Sequence, residues 1–231
     1  MTQIRNPGAT MFGGDMPVED LLPIELAIFP LTGVLLLPGA TVPLNIFEPR
    51  YLNMIEDALG GGRMIGMVQP KVARAESPGG EPVVYGTGCV GRIVSFSETG
   101  DGRFAITLLG ICRFQIASEL PLQSGYRRVN PCYSPFLGDL SDDESALAHR
   151  ESLLTTVEAY FLANGIDADW SSIEGAADSA LITTLSMLCP FDPSEKQALL
   201  ECENTALRGE LLGNLMSLSL HGDAAHHGVR H

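Results

Sequence analysis

The stretch Phe29–Leu59, FPLTGVLLLPGATVPLNIFEPRYLNMIEDAL, joins the strongest apolar run of the chain to its tightest turn signals and its clearest helix start. Val34 to Leu37 are four consecutive apolar residues between Gly33 and Pro38-Gly39, the pattern of a short strand buried on both faces. A turn follows at Pro38-Gly39, and Val42 to Phe47 resumes an extended pattern. Pro43 within it cannot donate to a ladder, so this strand lies at an edge or a bulge. Pro49 fixes φ near the helical value where a missing N–H costs nothing, which predicts a helix from Pro49 flanked by Glu48. Leu52, Ile55 and Leu59 share one predicted apolar stripe, and Gly60-Gly61-Gly62 stops the helix. The stretch therefore reads strand, turn, strand, helix.

The remaining chain is placed against this stretch. At 231 residues with 45% apolar content it can bury a sizeable core as one large or two small domains. No apolar run reaches the length of about 18 residues that a membrane span needs, and Met1 to Asp20 lacks a basic-then-apolar leader pattern, so the expected location is cytoplasmic. Five scattered cysteines, Cys89, Cys112, Cys132, Cys189 and Cys202, include no Cys-x-x-Cys pair and are expected to be mostly buried free thiols. The net charge of −14 is unevenly placed. Pro23 to Gly138 holds nine acids and nine bases, whereas Asp139 to Glu210 holds fifteen acids against Arg150, Lys196 and Arg208. This break near Gly138 marks a domain boundary, and the scarcity of lysine opposes binding to nucleic acid.

Taken in order, residues 1–20 are rich in Gly and Pro and are expected to form a mobile arm. Residues 21–138 predict a β-rich domain. Its strands are Glu25 to Leu31, the two in the opening stretch, Met64 to Val68, Val83 to Glu98, Arg103 to Leu109, Ile111 to Ala117 and Tyr126 to Tyr133. A hairpin turn is expected at Gly100-Asp101-Gly102 and a loop from Gln69 to about Glu81. The simplest closure of such strands with one helix is a twisted, partly closed barrel.

Residues 139–219 change to a helical period and predict an acidic bundle of four helices, or three and a short one. Ser141 with Glu144 and Ser171 with Glu174 read as capping boxes, as does Asp192-Pro193-Ser194-Glu195. The expected stripes are Leu147, Leu154, Val157 and Phe161, then Leu181, Leu185 and Leu188, then Leu207, Leu211, Leu215 and Leu218. Residues 220–231 complete the chain as a flexible tail.

Few residues propose chemistry. Gly86-x-Gly88-x-x-Gly91 matches a dinucleotide fingerprint in letters, but strand rather than helix is expected after it, so close backbone approach explains the glycines better. His221, His226, His227 and His231 crowd the tail, where a disordered terminus outweighs a metal site. His149 has no Gly-x-Ser-x-Gly elbow to serve, and Asp142-Asp143-Glu144 suits a first helical turn. No catalytic residue, metal ligand or cofactor is expected.

Leu22-Pro23 through Phe29-Pro30-Leu31, Val34 to Pro38-Gly39, and the string Pro43-Leu44-Asn45-Ile46-Phe47-Glu48-Pro49-Arg50-Tyr51 closely resemble the amino-terminal substrate-binding domain of Lon proteases. Gly86-Thr87-Gly88, Glu195-Lys196-Gln197 and Leu199-Leu200-Glu201 resemble later landmarks of the same family, so the likeness covers Leu21 to Leu218. It implies an α+β fold of the PUA-like, Lon N-terminal type, a β-rich pseudo-barrel followed by a helical bundle. It also implies recognition of polypeptides rather than their cleavage. No Gly-x-x-x-x-Gly-Lys-Ser/Thr loop occurs, and Lys71 and Lys196, the two lysines available to a Ser-Lys dyad, read as solvated. The expectation is a free-standing, non-catalytic module that binds unfolded or misfolded protein, or acts as an adaptor for a protease or chaperone. An unrecognised hydrolase site and an RNA-binding barrel are the rival readings.

Phe47, Arg50, Tyr51 and Met54 are the candidate polypeptide-binding residues, because helical spacing sets Arg50 and Met54 on one face away from the leucine stripe. The competing reading makes Phe47 a core residue, Glu48 and Arg50 a local ion pair, and Tyr51 a half-buried anchor.

Overall fold

The computed structural model describes residues 22–71, 82–141 and 147–227. The arm, most of the loop after Lys71, Glu144 with its proposed capping box, and the last four residues lie outside this description. The chain divides into two compact units. One comprises the chain up to Leu31 with Leu36–Ser141, and the other comprises Thr32–Leu35 with the chain from Asp142 onwards. The mixture of a six-stranded sheet with helices is α+β, as the sequence implies.

The first unit is built from β1 (Leu26–Pro30), β2 (Thr41–Ile46), α1 (Pro49–Gly60), β3 (Met64–Val68), β4 (Thr87–Glu98), β5 (Phe104–Gln123) and β6 (Tyr126–Cys132). The order is β2-β5-β4-β3-β1-β6, and a further β5–β6 pairing closes five of these strands into a barrel. β1 and β3 are parallel, a pairing that demands a crossover, which β2 and α1 supply. β5 is one strand of 20 residues where the sequence suggests two. From Phe104 to Leu109 it pairs with β2 on one edge, from Phe104 to Gln115 with β4 on the other, and its last part pairs with β6. Leu26, Ile28, Val68, Val84, Val90, Phe114 and Val129 fill the barrel.

The glycines in the barrel wall are there for room. A Cβ on Gly88 would stand 2.6 Å from the Met67 carbonyl oxygen, and one on Gly110 would stand 2.1 Å from that of Leu37. Gly86-x-Gly88-x-x-Gly91 therefore runs into and along β4, with no helix behind it to meet a phosphate. Pro43 does lie on an edge strand, since β2 pairs only with β5. Val34 to Leu37, by contrast, form no strand, although Leu35, Leu36 and Leu37 are buried. The chain passes from the helical unit to the barrel unit between Leu35 and Leu36.

In the second unit the helices are α2 (Arg150–Asn164), α3 (Trp170–Gly175), α4 (Asp178–Leu188), α5 (Pro193–Glu201) and α6 (Thr205–His227). Asp192 and Glu195 form the expected reciprocal capping box, with the Asp192 N–H donating to Glu195 Oε2 at 2.8 Å. α3 is capped by Asp169 and not Ser171, because the Asp169 carboxylate accepts from the backbone N–H groups of both Ser171 and Ser172. α2 ends at Gly165, whose φ of 63° is the left-handed conformation that glycine favours. Its buried side is Leu153, Val157, Tyr160 and Phe161.

The last helix turns a different face inward from the one its leucines suggest. Arg208, Gly209, Leu212 and Met216 are buried, whereas Leu207 and Leu218 are exposed. Gly209 accounts for the rotation: a Cβ there would come within 2.8 Å of Leu147 and 2.9 Å of Ile182, so only glycine lets α6 approach so closely. Lys196 is also not solvated. It is 7% exposed, and its ammonium donates to the carbonyl oxygens of Gly33 at 2.9 Å and Met187 at 3.2 Å. Cys89, Cys112 and Cys189 are buried free thiols, and burial pushes the Cys112 thiol up to about 12.

Candidate functional site

The helix start at Pro49 delivers the four candidate residues to quite different places. Phe47, just after β2, is 60% exposed, so the reading of it as core is overturned. Ile46 is the last residue paired with β5, and Phe47 projects beyond the end of that ladder. The guanidinium of Arg103 lies 5.7 Å from its ring centroid. Arg103 is itself steadied by Asp101 at 3.0 Å within the β4–β5 turn. There the Thr99 N–H donates to the Arg103 carbonyl oxygen at 2.8 Å, and Gly102 takes a φ of 78°. The hydroxyl of Thr99 donates to Asp101 and holds its carboxyl below the ordinary range.

Arg50 stands in the first turn of α1, its Nε 3.1 Å from Glu48 Oε2 and its guanidinium 4.8 Å from the Tyr51 ring centroid. The local ion pair with Glu48 is thus present. Tyr51 is fully buried rather than half-buried, its ring edge-on to Phe29 with centroids 4.5 Å apart. Met54 is wholly buried beside Ile55. The inward face of α1 is therefore Tyr51, Met54 and Ile55, and the predicted stripe of Leu52, Ile55 and Leu59 was set one position away from it. The cause is the β5–β6 hairpin, on which α1 sits. Asn53 donates to the Ser124 carbonyl oxygen at 3.1 Å, and the Tyr126 hydroxyl donates to Asp57 Oδ2 at 2.8 Å. Burial and that carboxylate push the Tyr126 phenol up to about 12.

The structure brings Arg50 and Tyr51 together, leaves Phe47 at the surface and removes Met54 from it. It adds residues that sequence reasoning missed. Beyond Ile93, β4 leaves β3 and continues with β5 alone as far as Glu98. With β2 on the far side of β5 this makes a three-stranded ribbon. Val94 and Phe96 on this extension are 39% and 41% exposed, and Phe96 packs edge-on against Phe104 at 5.1 Å between centroids. The run Val94-Ser95-Phe96-Ser97-Glu98 carried a signal for this, since two apolar residues alternate with serines past the last residue that β3 can cover. The ribbon thus carries exposed apolar surface at Phe47, beside the Arg103 guanidinium, and at Val94 and Phe96. Such a surface can bury apolar peptide side chains while its rim stays hydrated.

Among the described residues no group of three or more histidine, cysteine, aspartate or glutamate side chains is placed to hold a metal. Nor is any described helix long and apolar enough to cross a membrane.

A closed barrel carrying one crossover helix, followed in the chain by a helical unit, defines the class of protein. Residues 25–217 match the family described as the ATP-dependent protease La (LON) substrate-binding domain, and the chain belongs to that family. A Lon N-terminal domain protein from Xanthomonas campestris superposes with a TM-score of 0.59 at 26% identity, covering 81% of this chain and 96% of that one. The N-terminal domain of a Mycobacterium avium complex Lon protease has the same TM-score of 0.59 at 17% identity and shares the fold. Lon protease 2 of Sorangium cellulosum is 26% identical over 81% of this chain, and the Lon protease of Anaeromyxobacter dehalogenans is 31% identical over 48% of it. The chain spans only 24% and 13% of the length of those two relatives.

Proposed function

We propose that this protein is a non-catalytic polypeptide-binding module that recognises unfolded or misfolded segments, or presents them to a protease or chaperone. The observation that carries this reading is Phe47, an aromatic side chain 60% exposed in a domain of the Lon substrate-binding family, capped by a cation and accompanied by exposed Val94 and Phe96 on the same ribbon. An exposed aromatic ring offers apolar area that a peptide side chain can bury. Arg50 and Phe47 remain the proposed contacts from the original four. Tyr51 and Met54 act beneath them as support, holding α1 against the barrel.

The test is fluorescence anisotropy of labelled, reduced and carboxymethylated α-lactalbumin with the purified protein, its Phe47→Ser and Phe96→Ser variants, and Arg50→Ala. Saturable micromolar binding that the serine variants weaken at least about fivefold supports the reading. Absence of binding to this reporter sinks it in favour of an adaptor for one folded partner. Casein incubated with the protein should remain uncleaved.

A further inference from the structure

The ribbon end has two outer edges, and the hydrogen-bond parity of the strands distinguishes them. The Thr99–Arg103 bond marks a hydrogen-bonded pair. Alternation along the antiparallel ladder then makes Ser97–Ala105 and Ser95–Thr107 bonded pairs, and Phe96–Ile106 and Glu98–Phe104 unbonded ones. The backbone N–H and C=O groups of Phe96 and Glu98 therefore point away from β5, to the side where β3 has already ended. Across the ribbon, the same parity bonds Val42, Leu44 and Ile46 to β5 and turns Thr41, Pro43 and Asn45 outward. Pro43 has no N–H, so the outer row of β2 lacks its central donor and is poorly suited to another strand. The outer row of β4 contains no proline.

Side chains on this edge complete the description of an occupant. Residues directly opposite in a ladder share a face, so Phe96 and Glu98 lie on the face of Ile106, Phe104, Leu44 and Ile46. A strand laid antiparallel along β4 would set one side chain beside the exposed ring of Phe96 and, two residues earlier in its own sequence, another beside the exposed carboxylate of Glu98. We propose that the outer edge of β4 at Phe96 and Glu98 receives an extended client segment by strand addition, and that the segment carries a basic residue two positions before an aromatic or branched apolar one. The inference rests on the polypeptide-binding reading above and specifies its mode.

The probe is a fluorescein-labelled heptapeptide, threonine-lysine-threonine-phenylalanine-threonine-valine-threonine. It is compared with one analogue N-methylated at the phenylalanine amide and another N-methylated at the threonine before it. Strand addition aims the phenylalanine N–H at β4 and the threonine N–H away, so the first methylation should weaken binding about tenfold and the second leave it within about twofold. Glu98→Lys should weaken the lysine peptide about threefold and favour a peptide with glutamate in place of lysine. Equal effects of the two methylations, or no peptide binding at 1 mM (about the weakest affinity worth assigning), overturn strand addition. If carboxymethylated α-lactalbumin still binds in that case, the broader reading stands and only the mode falls. Loss of both sinks both.

Discussion

Asp139 takes three hydrogen bonds from a single residue, Arg113: from its Nε at 2.8 Å, from its terminal Nη2 at 2.7 Å and from its backbone N–H at 3.0 Å. The two side chains are 4% and 11% exposed, and the guanidinium also lies 4.6 Å from the Phe136 ring centroid. This pair fastens the 3₁₀ segment Ser134–Leu140 onto the long strand β5. Burial alone would lower the guanidinium pKa, but the bond to Asp139 and its charge raise it. Removing one partner strands the other charge in a dry site, so Arg113→Ala or Asp139→Ala should each cost about 3–5 kcal/mol in urea unfolding. The double replacement Arg113→Met with Asp139→Leu should recover most of that loss. A double variant as unstable as the singles would show that the charges do more than satisfy each other.

Lys196 offers a second stability test in the helical unit. Its ammonium serves the carbonyl oxygens of Gly33 and Met187, and burial lowers its pKa. Lys196→Met keeps the packing and removes both donors, which should destabilise by about 1–3 kcal/mol. Because the folded pKa lies below the unfolded one, the cost of burying the cation is present at neutral pH and is relieved as pH rises through the folded value. The wild-type advantage over Lys196→Met should therefore grow as pH rises through the folded value, as thermal melts would record.

Acid acts on the same unit through Asp178. The Leu147 N–H donates to its carboxylate at 2.7 Å and Arg150 pairs with it, and these hold its pKa below the ordinary value. Its contribution is present above the unfolded pKa of about 3.9 and is lost as pH falls through the lower folded value. The gap in unfolding midpoint between wild type and Asp178→Asn should be widest above about pH 4 and close below it. A gap that persists undiminished into strong acid would assign the effect to packing.

Gly110 and Gly100 make a matched pair of substitutions. Alanine at Gly110 drives a methyl into the Leu37 carbonyl, whereas nothing lies within 4 Å of a Cβ at Gly100 in the turn. Gly110→Ala should cost about 4 kcal/mol or prevent folding, and Gly100→Ala should change stability by under about 1 kcal/mol.

Phe47 and Met54 separate binding from folding. Phe47→Ser removes an exposed ring and should leave stability within about 0.5 kcal/mol while weakening the unfolded reporter. Met54→Ala empties a fully buried site and should cost about 2–5 kcal/mol. Comparable losses of stability from both would place Phe47 back in the core.

Much of the architecture was legible because local chemistry and tertiary context agree. Met64 to Val68 is the strand its residues predict, Pro49 opens α1, and the Asp192 to Glu195 box opens α5. What escaped is the direction each element faces. On α6 the leucines advertise one side, yet Gly209 decides the other, and a glycine contributes no hydrophobic signal of its own. Lys196 looked solvated because the carbonyl oxygens of Gly33 and Met187 that receive its ammonium leave no trace in a sequence. The ribbon surface escaped for a related reason: Phe47 reads as core until β2 is seen to stop at Ile46. Phe96 reads as one more strand residue until β3 is seen to fall short of it.

The barrel closes by pairing β1 with β6, so Leu26 finds its partner only at Val129. On a ribosome, β1 must wait for about a hundred further residues before that edge is covered. Until then the barrel's apolar inner face cannot be enclosed, since β1 lacks the antiparallel neighbour that completes it. A module proposed to receive unfolded chains thus presents, while it is being made, apolar surface of the kind it is proposed to bind.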